Sequence, residues 1–278
     1  MQAILKTRAI NYDLSARTHI MGILNVTPDS FSDGGSYTTI EKAVAQAIEM
    51  EKQGADIIDI GGESTRPNHK PVSVEEEIKR VVPAIEAVKK AVKIPISIDT
   101  FKAETARAAV EAGASIINDV WGAKKEPEIA KVAAEYSVPI VLMHNRPNKN
   151  YVSLIDDMKK DLSESIEIAL KAGVKKENII LDPGIGFAKT QADNLVAMNH
   201  LEVFVEMKYP VLLGTSRKRF IGHILDLPPE ERDNGTGATT CLGIQKGVQL
   251  VRVHDVKRNV ELAKMMDAMV AGGNKKNG

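Results

Sequence analysis

The chain has 278 residues, of which 43% are hydrophobic, enough for one large core but too few for several independent catalytic domains. Lysine and arginine number 37, as do aspartate and glutamate, so the formal net charge is zero, which argues against binding to nucleic acid or to an acidic membrane. The single cysteine, Cys241, excludes a disulfide framework and a cysteine-rich zinc site.

Membrane insertion and secretion are not indicated by the sequence. Its apolar runs are shorter than the ~20 residues of a membrane span, and Lys6 and Arg8 are not followed by a signal-like apolar segment. We therefore expect a soluble, cytoplasmic protein with one domain.

Short runs rich in β-branched residues recur along the chain and are predicted to be strands. Most are continuously apolar rather than alternating, which is typical of strands buried on both faces of a parallel sheet. The eight predicted strands are His19–Leu24, Ala55–Ile60, Pro95–Ile98, Ser115–Asn118, Pro139–Met143, Asn178–Leu181, Pro210–Leu213 and Gln249–Val253.

Amphipathic stretches separate these strands and are predicted to be helices. From Val74, apolar residues such as Ile78, Val81 and Ile85 recur at helical spacing. The acidic run Glu75–Glu77 begins this helix, where the helix dipole and solvent account for it. Eight strand–helix units in a chain of this length fit a closed (β/α)8 barrel, with an open doubly wound sheet as the alternative, because periodicity does not show closure.

The domain organisation that we expect has three parts. Residues 1–18 form an N-terminal strap or capping hairpin, residues 19–271 form the barrel, and residues 272–278 form a flexible tail.

Polar or ionisable residues stand at the end of every predicted strand, where a barrel places its functional site. Helix capping explains any one of them, but not a set of mixed charges after all eight strands. The set includes Asn25, Glu63, Asp99, Asn118, His144, Asp182, Lys218 and His254.

Residues 214–218 read GTSRK and follow the seventh predicted strand. A small-residue turn leads to Arg217 and Lys218, which we expect to open a helix. Backbone N–H groups and the positive end of a helix dipole attract anions, and such barrels often bind phosphate after strands seven and eight. Arg252 and His254 follow the neighbouring strand. The pattern favours a phosphate site, with a solvated basic helix start as the alternative.

Two polar loops and two carboxylates complete the predicted rim. The loops at 25–36 and 61–67 are rich in Gly and Ser, and the first is long enough to be a mobile lid or a disordered connection. Asp99 and Asp182 follow strands on opposite sides of the predicted barrel. Such a pair serves as general acid and base, as metal ligands, or as recognition groups for paired donors.

Seven segments, one after another along the chain, resemble the motif set of the dihydropteroate synthase family. They are MGILNVTPDSFSDGG (21–35), DIGGESTRP (59–67), SIDT (97–100), IINDVWG (116–122), LDPGIGF (181–187), GTSRK (214–218) and VRVHD (251–255). The resemblance implies a homodimeric (β/α)8 barrel of folate biosynthesis. It also implies a transferase that joins p-aminobenzoate to 6-hydroxymethyl-7,8-dihydropterin diphosphate, releases diphosphate and is a target of sulfonamides.

The resemblance also implies roles for individual residues. Asp182 would accept the 2-amino and N3 hydrogens of the pterin, and the remaining ring edge would meet Asp99, Asn118 and Lys218. The slot itself would be lined by Met143, Phe187 and Gly214, with Arg252 over the ring. The diphosphate would be held by Asn25, Arg252 and His254, with Mg²⁺ on Asn25. The residues that would close over p-aminobenzoate and the leaving group are Phe31, Asp33, Thr65, Arg66 and Pro67.

Catalysis would fall to Asp99, Lys218, Asp33 and Arg66 under the same resemblance. We expect a dissociative reaction in which the C–O bond breaks first and leaves a pterin methyl cation. The reason is that no serine or cysteine has a histidine–carboxylate pair evident from spacing.

The chain departs from the family pattern at two places. Arg219 stands where Ser usually follows GTSRK, and Asn68 and His69 follow STRP where Gly is common. Both lie near the expected p-aminobenzoate site, where Arg219 either pairs with the substrate carboxylate or points into solvent.

Two other functions remain open on the sequence. One is a methyltetrahydrofolate-dependent methyltransferase that serves a corrinoid protein, since such barrels hold pterin with similar Asp and Asn residues. The other is a pterin-binding protein without catalysis, which a fold alone never excludes.

Overall fold

The computed structural model describes residues 4–27, 36–63 and 71–274, which form a parallel β-barrel surrounded by helices. Eight strands of these residues pair in the order β8–β7–β6–β5–β4–β3–β10–β9. Their bounds are β3 His19–Asn25, β4 Ile57–Gly61, β5 Ile96–Asp99, β6 Ile116–Asp119, β7 Ile140–Met143, β8 Ile179–Asp182, β9 Leu212–Leu213 and β10 Leu250–Val253.

The two ends of this sheet meet, which decides between the closed barrel and the open sheet. Leu181 pairs in parallel with Val211, and the N–H of Leu181 donates to the carbonyl of Pro210 at 2.8 Å. The predicted (β/α)8 barrel is therefore confirmed. Each of the eight predicted strands is present, with ends that differ from the prediction by two residues at most.

Helices follow the strands and cover the outside of the barrel. Their bounds are α1 Ser36–Gln53, α2 Val74–Ala91, α3 Ala103–Ala112, α4 Glu128–Glu135, α5 Leu154–Lys171, α6 Gln191–Asn199, α7 Leu201–Val205, α8 Arg219–Leu225, α9 Asp233–Gln245 and α10 Val256–Asn274. Helix α10 runs to Asn274, so the first three residues of the predicted 272–278 tail are helical. In the described parts of the chain, no helix has both the length and the apolar character required to cross a membrane.

A short hairpin fills the amino-terminal end of the barrel. Strands β1 (Ile4–Lys6) and β2 (Asn11–Asp13) pair antiparallel. Leu5 and Tyr12 of this hairpin pack against barrel side chains that include Met21 and Ile57. The Tyr12 hydroxyl also donates to the carbonyl of Asp56 at 2.7 Å. Because the amino end is plugged, the carboxyl ends of the strands are left for a site.

The start of α2 corrects one expectation from the sequence. Ser73 caps the helix by accepting the N–H of Glu76, as the acidic first turn suggests. Glu77, however, is 1% exposed and accepts a 2.8 Å hydrogen bond from Nζ of Lys102, which also donates to Glu63 at 2.5 Å. Dipole and solvent therefore do not account for Glu77, which lies in a buried ion-paired cluster beneath the barrel rim.

Candidate active site

The inward-facing residues at the carboxyl ends of the strands change from apolar to polar. Side chains two residues apart in a strand share a face. One buried apolar layer inside the barrel contains Ile57, Ile116, Val141, Ile180, Leu212 and Leu250. The residues two positions later on the same strands are, in the same order, Asp59, Asn118, Met143, Asp182, Gly214 and Arg252. Asn25 and Asp99 end β3 and β5 at the same level. The pleat thus brings these groups together at one end of the barrel.

Arg252 joins two buried carboxylates across the barrel. Its Nε donates to Oδ2 of Asp59 at 2.6 Å and its Nη2 donates to Oδ2 of Asp99 at 2.7 Å. Asn118 donates from Nδ2 to the same Asp59 oxygen at 3.1 Å. We call Asp59, Asp99, Asn118 and Arg252 the carboxylate–arginine cluster. It fixes a guanidinium and an amide at the centre of the barrel mouth.

Unused acceptors remain in this cluster. Oδ1 of Asp59 and Oδ1 of Asp99 are buried without a hydrogen-bond partner in the described structure. Buried acceptors without a partner are costly unless a ligand or water supplies donors. Burial raises the pKa of Asp99 to about 7, against the opposing effect of Arg252. The cluster is therefore ready to accept donors from a bound molecule.

Asp182 and Lys218 form a second polar group beside this cluster. The Asp182 carboxylate accepts the N–H of Gly184 at 2.7 Å, and burial raises its pKa. Lys218 donates from Nζ to the carbonyl of Ile185, and that nitrogen lies 4.7 Å from the centroid of the Phe187 ring. Burial also lowers the pKa of Lys218 to about 8. An acidic and a basic group thus stand side by side in a partly apolar wall.

The absence of a side chain at Gly214 leaves room for a methyl group beside Asp182, Lys218 and Arg252. A Cβ built on Gly214 would lie 3.6 Å from Oδ2 of Asp182, 3.9 Å from Nζ of Lys218 and 4.0 Å from Cβ of Arg252. A Cβ on Gly61 would likewise lie 3.5 Å from Cβ of Asp99. Because both positions are glycine, no side chain from either residue lies between the two polar groups.

The loop after β9 departs from the expected helix start. Helix α8 begins at Arg219, with Lys218 as its N-cap, so Arg217 and Lys218 do not open it. Arg217 adopts φ +57° and makes a two-bond ion pair with Asp233, at 2.8 and 2.7 Å. Its guanidinium therefore braces the loop against α9.

His254 lies beside this loop and is held by Ser216. The Ser216 hydroxyl lies 2.8 Å from Nδ1 of His254 and accepts the N–H of His254 at 3.0 Å. This serine–histidine contact was not apparent from spacing, since the residues are separated by 38 positions. It fixes the imidazole next to Arg252 at the end of β10.

The comparisons with known proteins agree with this geometry. A model of the pterin binding enzyme family matches residues 21–254. The dihydropteroate synthase of Bacillus subtilis (strain 168) is 63% identical over 268 residues, which are 96% of this chain and 93% of that protein.

The chain belongs to the dihydropteroate synthase family.

Solved structures of dihydropteroate synthases share the fold. That of Xanthomonas albilineans with 4-aminobenzoic acid superposes with a TM-score of 0.93 at 43% identity, covering 98% of this chain and 99% of that one. That of Yersinia pestis in a sulfonamide drug complex gives 0.90 at 39% identity, covering 97% and 99%. The family expected from the seven motifs is therefore confirmed, and the chain is a transferase of folate biosynthesis.

The structure brings most of the residues predicted from this family to one end of the barrel. They are Asn25, Asp99, Asn118, Met143, Asp182, Phe187, Gly214, Lys218, Arg252 and His254. Arg219 is exposed on the first turn of α8. Phe31, Asp33, Thr65, Arg66 and Pro67 lie outside the described residues, as do Asn68 and His69. The roles of all these residues stay predictions.

Asp59 is a site residue that the sequence reasoning missed. It lies inside the predicted strand Ala55–Ile60, whereas the rule that barrel sites lie at strand ends singles out the residues that follow strands. A carboxylate in the run IIDIG was the available signal, because an unpaired charge is rarely buried inside an apolar strand. Its 0% exposure and its bond to Arg252 place it at the centre of the site.

Proposed function

We propose that this member of the dihydropteroate synthase family joins p-aminobenzoate to 6-hydroxymethyl-7,8-dihydropterin diphosphate by a dissociative reaction. The bond between the pterin methylene carbon and the diphosphate oxygen breaks first, and its electron pair leaves with diphosphate. The aniline nitrogen then attacks the resulting pterin methyl cation and loses a proton. The observation that carries this proposal is the charge balance of the carboxylate–arginine cluster and its neighbours.

The charges around the ligand space favour a cation. Asp59, Asp99 and Asp182 supply three carboxylates, while Lys218 and Arg252 supply two cations, all within one barrel mouth. When each group is ionised, one negative charge is in excess. Preorganised charges in a buried site stabilise a transition state that develops the opposite charge. Both Asp59 and Asp99 have an Oδ1 atom without a partner in the described part of the chain. Of the two, we assign Asp99 to the cation, as the family resemblance implies, and we assign Lys218 to the 4-oxo and N5 edge.

Recognition of the pterin ring follows from Asp182. A carboxylate offers two acceptors to two parallel N–H donors, which the 2-amino group and N3 of a pterin present. Gly184 already fixes one oxygen of this carboxylate, so its plane is set before the ligand arrives. Asn118 meets the remaining ring nitrogens, Met143 and Phe187 line the slot, and Arg252 lies over the ring.

Diphosphate binding falls to Asn25, Arg252 and His254 in this proposal. Mg²⁺ would be held by the amide oxygen of Asn25, since this ion keeps several waters and takes only one or two protein ligands beside phosphate oxygens. In the described part of the chain, no group of three or more His, Cys, Asp or Glu residues suits a metal ion. The single amide of Asn25 fits an ion that would arrive with the diphosphate and would neutralise the charge that develops on it.

Two loops beyond the described residues complete the proposed site. Asp33 and Arg66 are assigned to the leaving group, and Phe31, Thr65 and Pro67 to p-aminobenzoate. The 4-aminobenzoic acid in the Xanthomonas structure supports a p-aminobenzoate site in this fold.

We also propose that the chain acts as a cytoplasmic homodimer. Met265 and Met269 on α10 are 60% and 49% exposed, and Leu195 and Ile224, on α6 and α8, are 45% and 55% exposed. Met265 and Met269 are four residues apart and share one face of α10, so this face offers apolar surface to a subunit contact. Sedimentation equilibrium measures the mass of the assembly. A charged substitution that converts the dimer to a monomer identifies the face of the subunit contact.

The order of bond breaking is tested by measuring diphosphate release with and without p-aminobenzoate. If the reaction is dissociative, diphosphate is released slowly even without p-aminobenzoate. The carbon isotope effect at the pterin methylene then indicates a transition state in which no nucleophile is bonded to this carbon. Release that depends strictly on p-aminobenzoate, together with a bonded nucleophile in the transition state, would replace it with a concerted displacement.

A further inference from the structure

A buried lysine behind the site, Lys189, has no part in the reaction described above. It is 4% exposed, and its ammonium makes three hydrogen bonds. Nζ lies 2.9 Å from Nδ1 of His144 and donates to the carbonyls of Gly184 and Phe187 at 2.9 and 3.1 Å. An ammonium has three protons, so each acceptor receives one. Burial lowers its pKa to about 7, yet these three acceptors match the charged form.

A histidine and an aspartate stand behind Lys189. His144 is fully buried, and burial lowers its pKa to about 4, so the ring is neutral. Its Nε2 lies 3.0 Å from Oδ2 of Asp161 on α5. A neutral ring that accepts from the ammonium at Nδ1 donates its one proton from Nε2 to the carboxylate. The row Asp161–His144–Lys189 is therefore fully hydrogen-bonded and ends on two backbone carbonyls.

Those two carbonyls belong to the segment 183–189, which carries both contacts that orient the second polar group of the site. The N–H of Gly184 fixes the Asp182 carboxylate, and the carbonyl of Ile185 accepts from Lys218. The segment needs such restraint, because Gly184, Gly186 and Ala188 all have positive φ, at +64°, +90° and +47°. For Ala188 this backbone conformation is strained.

We propose that Lys189 is a positioning residue for pterin recognition. Held by His144 and Asp161, it fixes the segment 183–189, and through it the carboxylate of Asp182 and the ammonium of Lys218. Without this ammonium, the carbonyls of Gly184 and Phe187 lose a buried donor and the segment shifts. The inference rests on the proposed assignment of Asp182 and Lys218 to the pterin ring.

The test compares two buried lysines. Lys189→Met keeps an unbranched side chain that is one atom shorter and removes the donor. We expect it to raise the dissociation constant of 6-hydroxymethyl-7,8-dihydropterin diphosphate about tenfold, measured by fluorescence, and to change the KM of p-aminobenzoate by less than about twofold. The control is Lys102→Met, which removes a similarly buried ammonium bound to Glu63, Val72 and Glu77. We expect it to lower the thermal midpoint comparably while pterin affinity stays within about twofold.

The outcomes separate this inference from the proposed function. Asp182→Asn must itself weaken pterin binding, and if it does not, the assignment of the site fails. If Asp182→Asn weakens binding and Lys189→Met does not, the positioning role is wrong. If Lys102→Met and Lys189→Met lose pterin affinity equally, the positioning role is also wrong, because general destabilisation of the fold then explains the loss. Should Lys189→Met not fold, Asp161→Asn decides: about a threefold loss of pterin affinity supports the row, and unchanged affinity overturns it.

Discussion

Asp99 and Arg252 are 153 residues apart in the chain, and Oδ2 of Asp99 accepts a 2.7 Å hydrogen bond from Nη2 of Arg252. Asp99 ends β5 and Arg252 lies on β10, and two strands separate them in the sheet. The two side chains meet inside the barrel because the sheet is curved and closed. One carboxylate oxygen of Asp99 is thereby neutralised, and the other has no partner. The carboxylate is therefore oriented by the protein and keeps one buried oxygen without a donor among the residues that the structure describes.

The first prediction concerns the Asp99 carboxylate. Asp99→Asn keeps the shape of the side chain and removes its charge, so the excess negative charge in the barrel mouth is lost. We expect kcat for diphosphate release to fall by about 10²-fold or more, as for other preorganised charges at a reacting centre. The thermal midpoint, measured alongside, checks that the variant is folded. A kcat within about twofold of the unaltered protein rules out an electrostatic role for Asp99.

The pH dependence of catalysis follows from two buried groups. Asp99, with its pKa raised to about 7, must lose its proton to favour the cation, so activity rises as pH increases through that value. Lys218, with its pKa lowered to about 8, must keep its proton to bind the pterin, so activity falls above that value. We expect a narrow bell-shaped profile of kcat/KM between these values. The residual activity of Asp99→Asn should lack the acidic limb, whereas a limb caused by substrate ionisation would persist in it.

The sequence predicts a site residue well when that residue ends a strand and poorly when it lies within one. Asp99, Asn118 and Asp182 end their strands, and the rule that barrel sites lie at strand ends identified them. Asp59 was missed because it sits within an apolar run, where only the pleat shows that it faces the same mouth. Arg217 was misjudged for the opposite reason. It follows a strand, but its partner Asp233 lies on a later helix, and a pairing between distant segments leaves no periodic signal.

The buried Lys189 shows a similar limit. Lys189 follows β8, its partner His144 follows β7, and the Asp161 that His144 contacts lies on α5, so no single window of sequence contains the row. The segment AKT (188–190) lies directly before α6. The capping box formed by Thr190 and Asp193 explains the start of that helix, but it does not explain Lys189. Burial of the ammonium, which gives the residue its significance, appears only once the barrel is closed.

The proposed metal ligand gives a prediction about stability. Mg²⁺ and diphosphate added together should raise the thermal midpoint, because a ligand that binds only the folded state stabilises it by mass action. Asn25→Ala should remove the part of this shift that depends on Mg²⁺ and keep the part due to diphosphate alone. Differential scanning fluorimetry with each component added singly provides the controls. A shift in Asn25→Ala that still depends fully on Mg²⁺ would place the ion elsewhere.

The exposed Arg219 gives a prediction about substrate affinity. If Arg219 pairs with the p-aminobenzoate carboxylate, Arg219→Ser removes that charge, and the KM of p-aminobenzoate should rise about two- to fivefold, the range of an exposed ion pair. The inhibition constants of sulfonamides should also change. Identical constants in the two proteins would show that Arg219 only faces solvent.

Substitutions at two glycines of the site, Gly214 and Gly184, test two different effects, namely loss of room for the ligand and strain in the backbone. Gly214→Ala places its Cβ at ordinary contact distances, the shortest 3.6 Å from Asp182, so the protein should fold with a thermal midpoint near that of the unaltered chain. The methyl group occupies the floor of the proposed pterin slot, and we expect pterin affinity to fall about tenfold or more. Gly184→Ala differs, because φ is +64° and its Cβ would meet the carbonyl oxygen of His144 at 2.0 Å, so stability should be lost first. Isothermal titration with pterin and thermal melts of both variants distinguish the two effects. Tight pterin binding by a folded Gly214→Ala protein would move the slot away from Asp182 and Lys218.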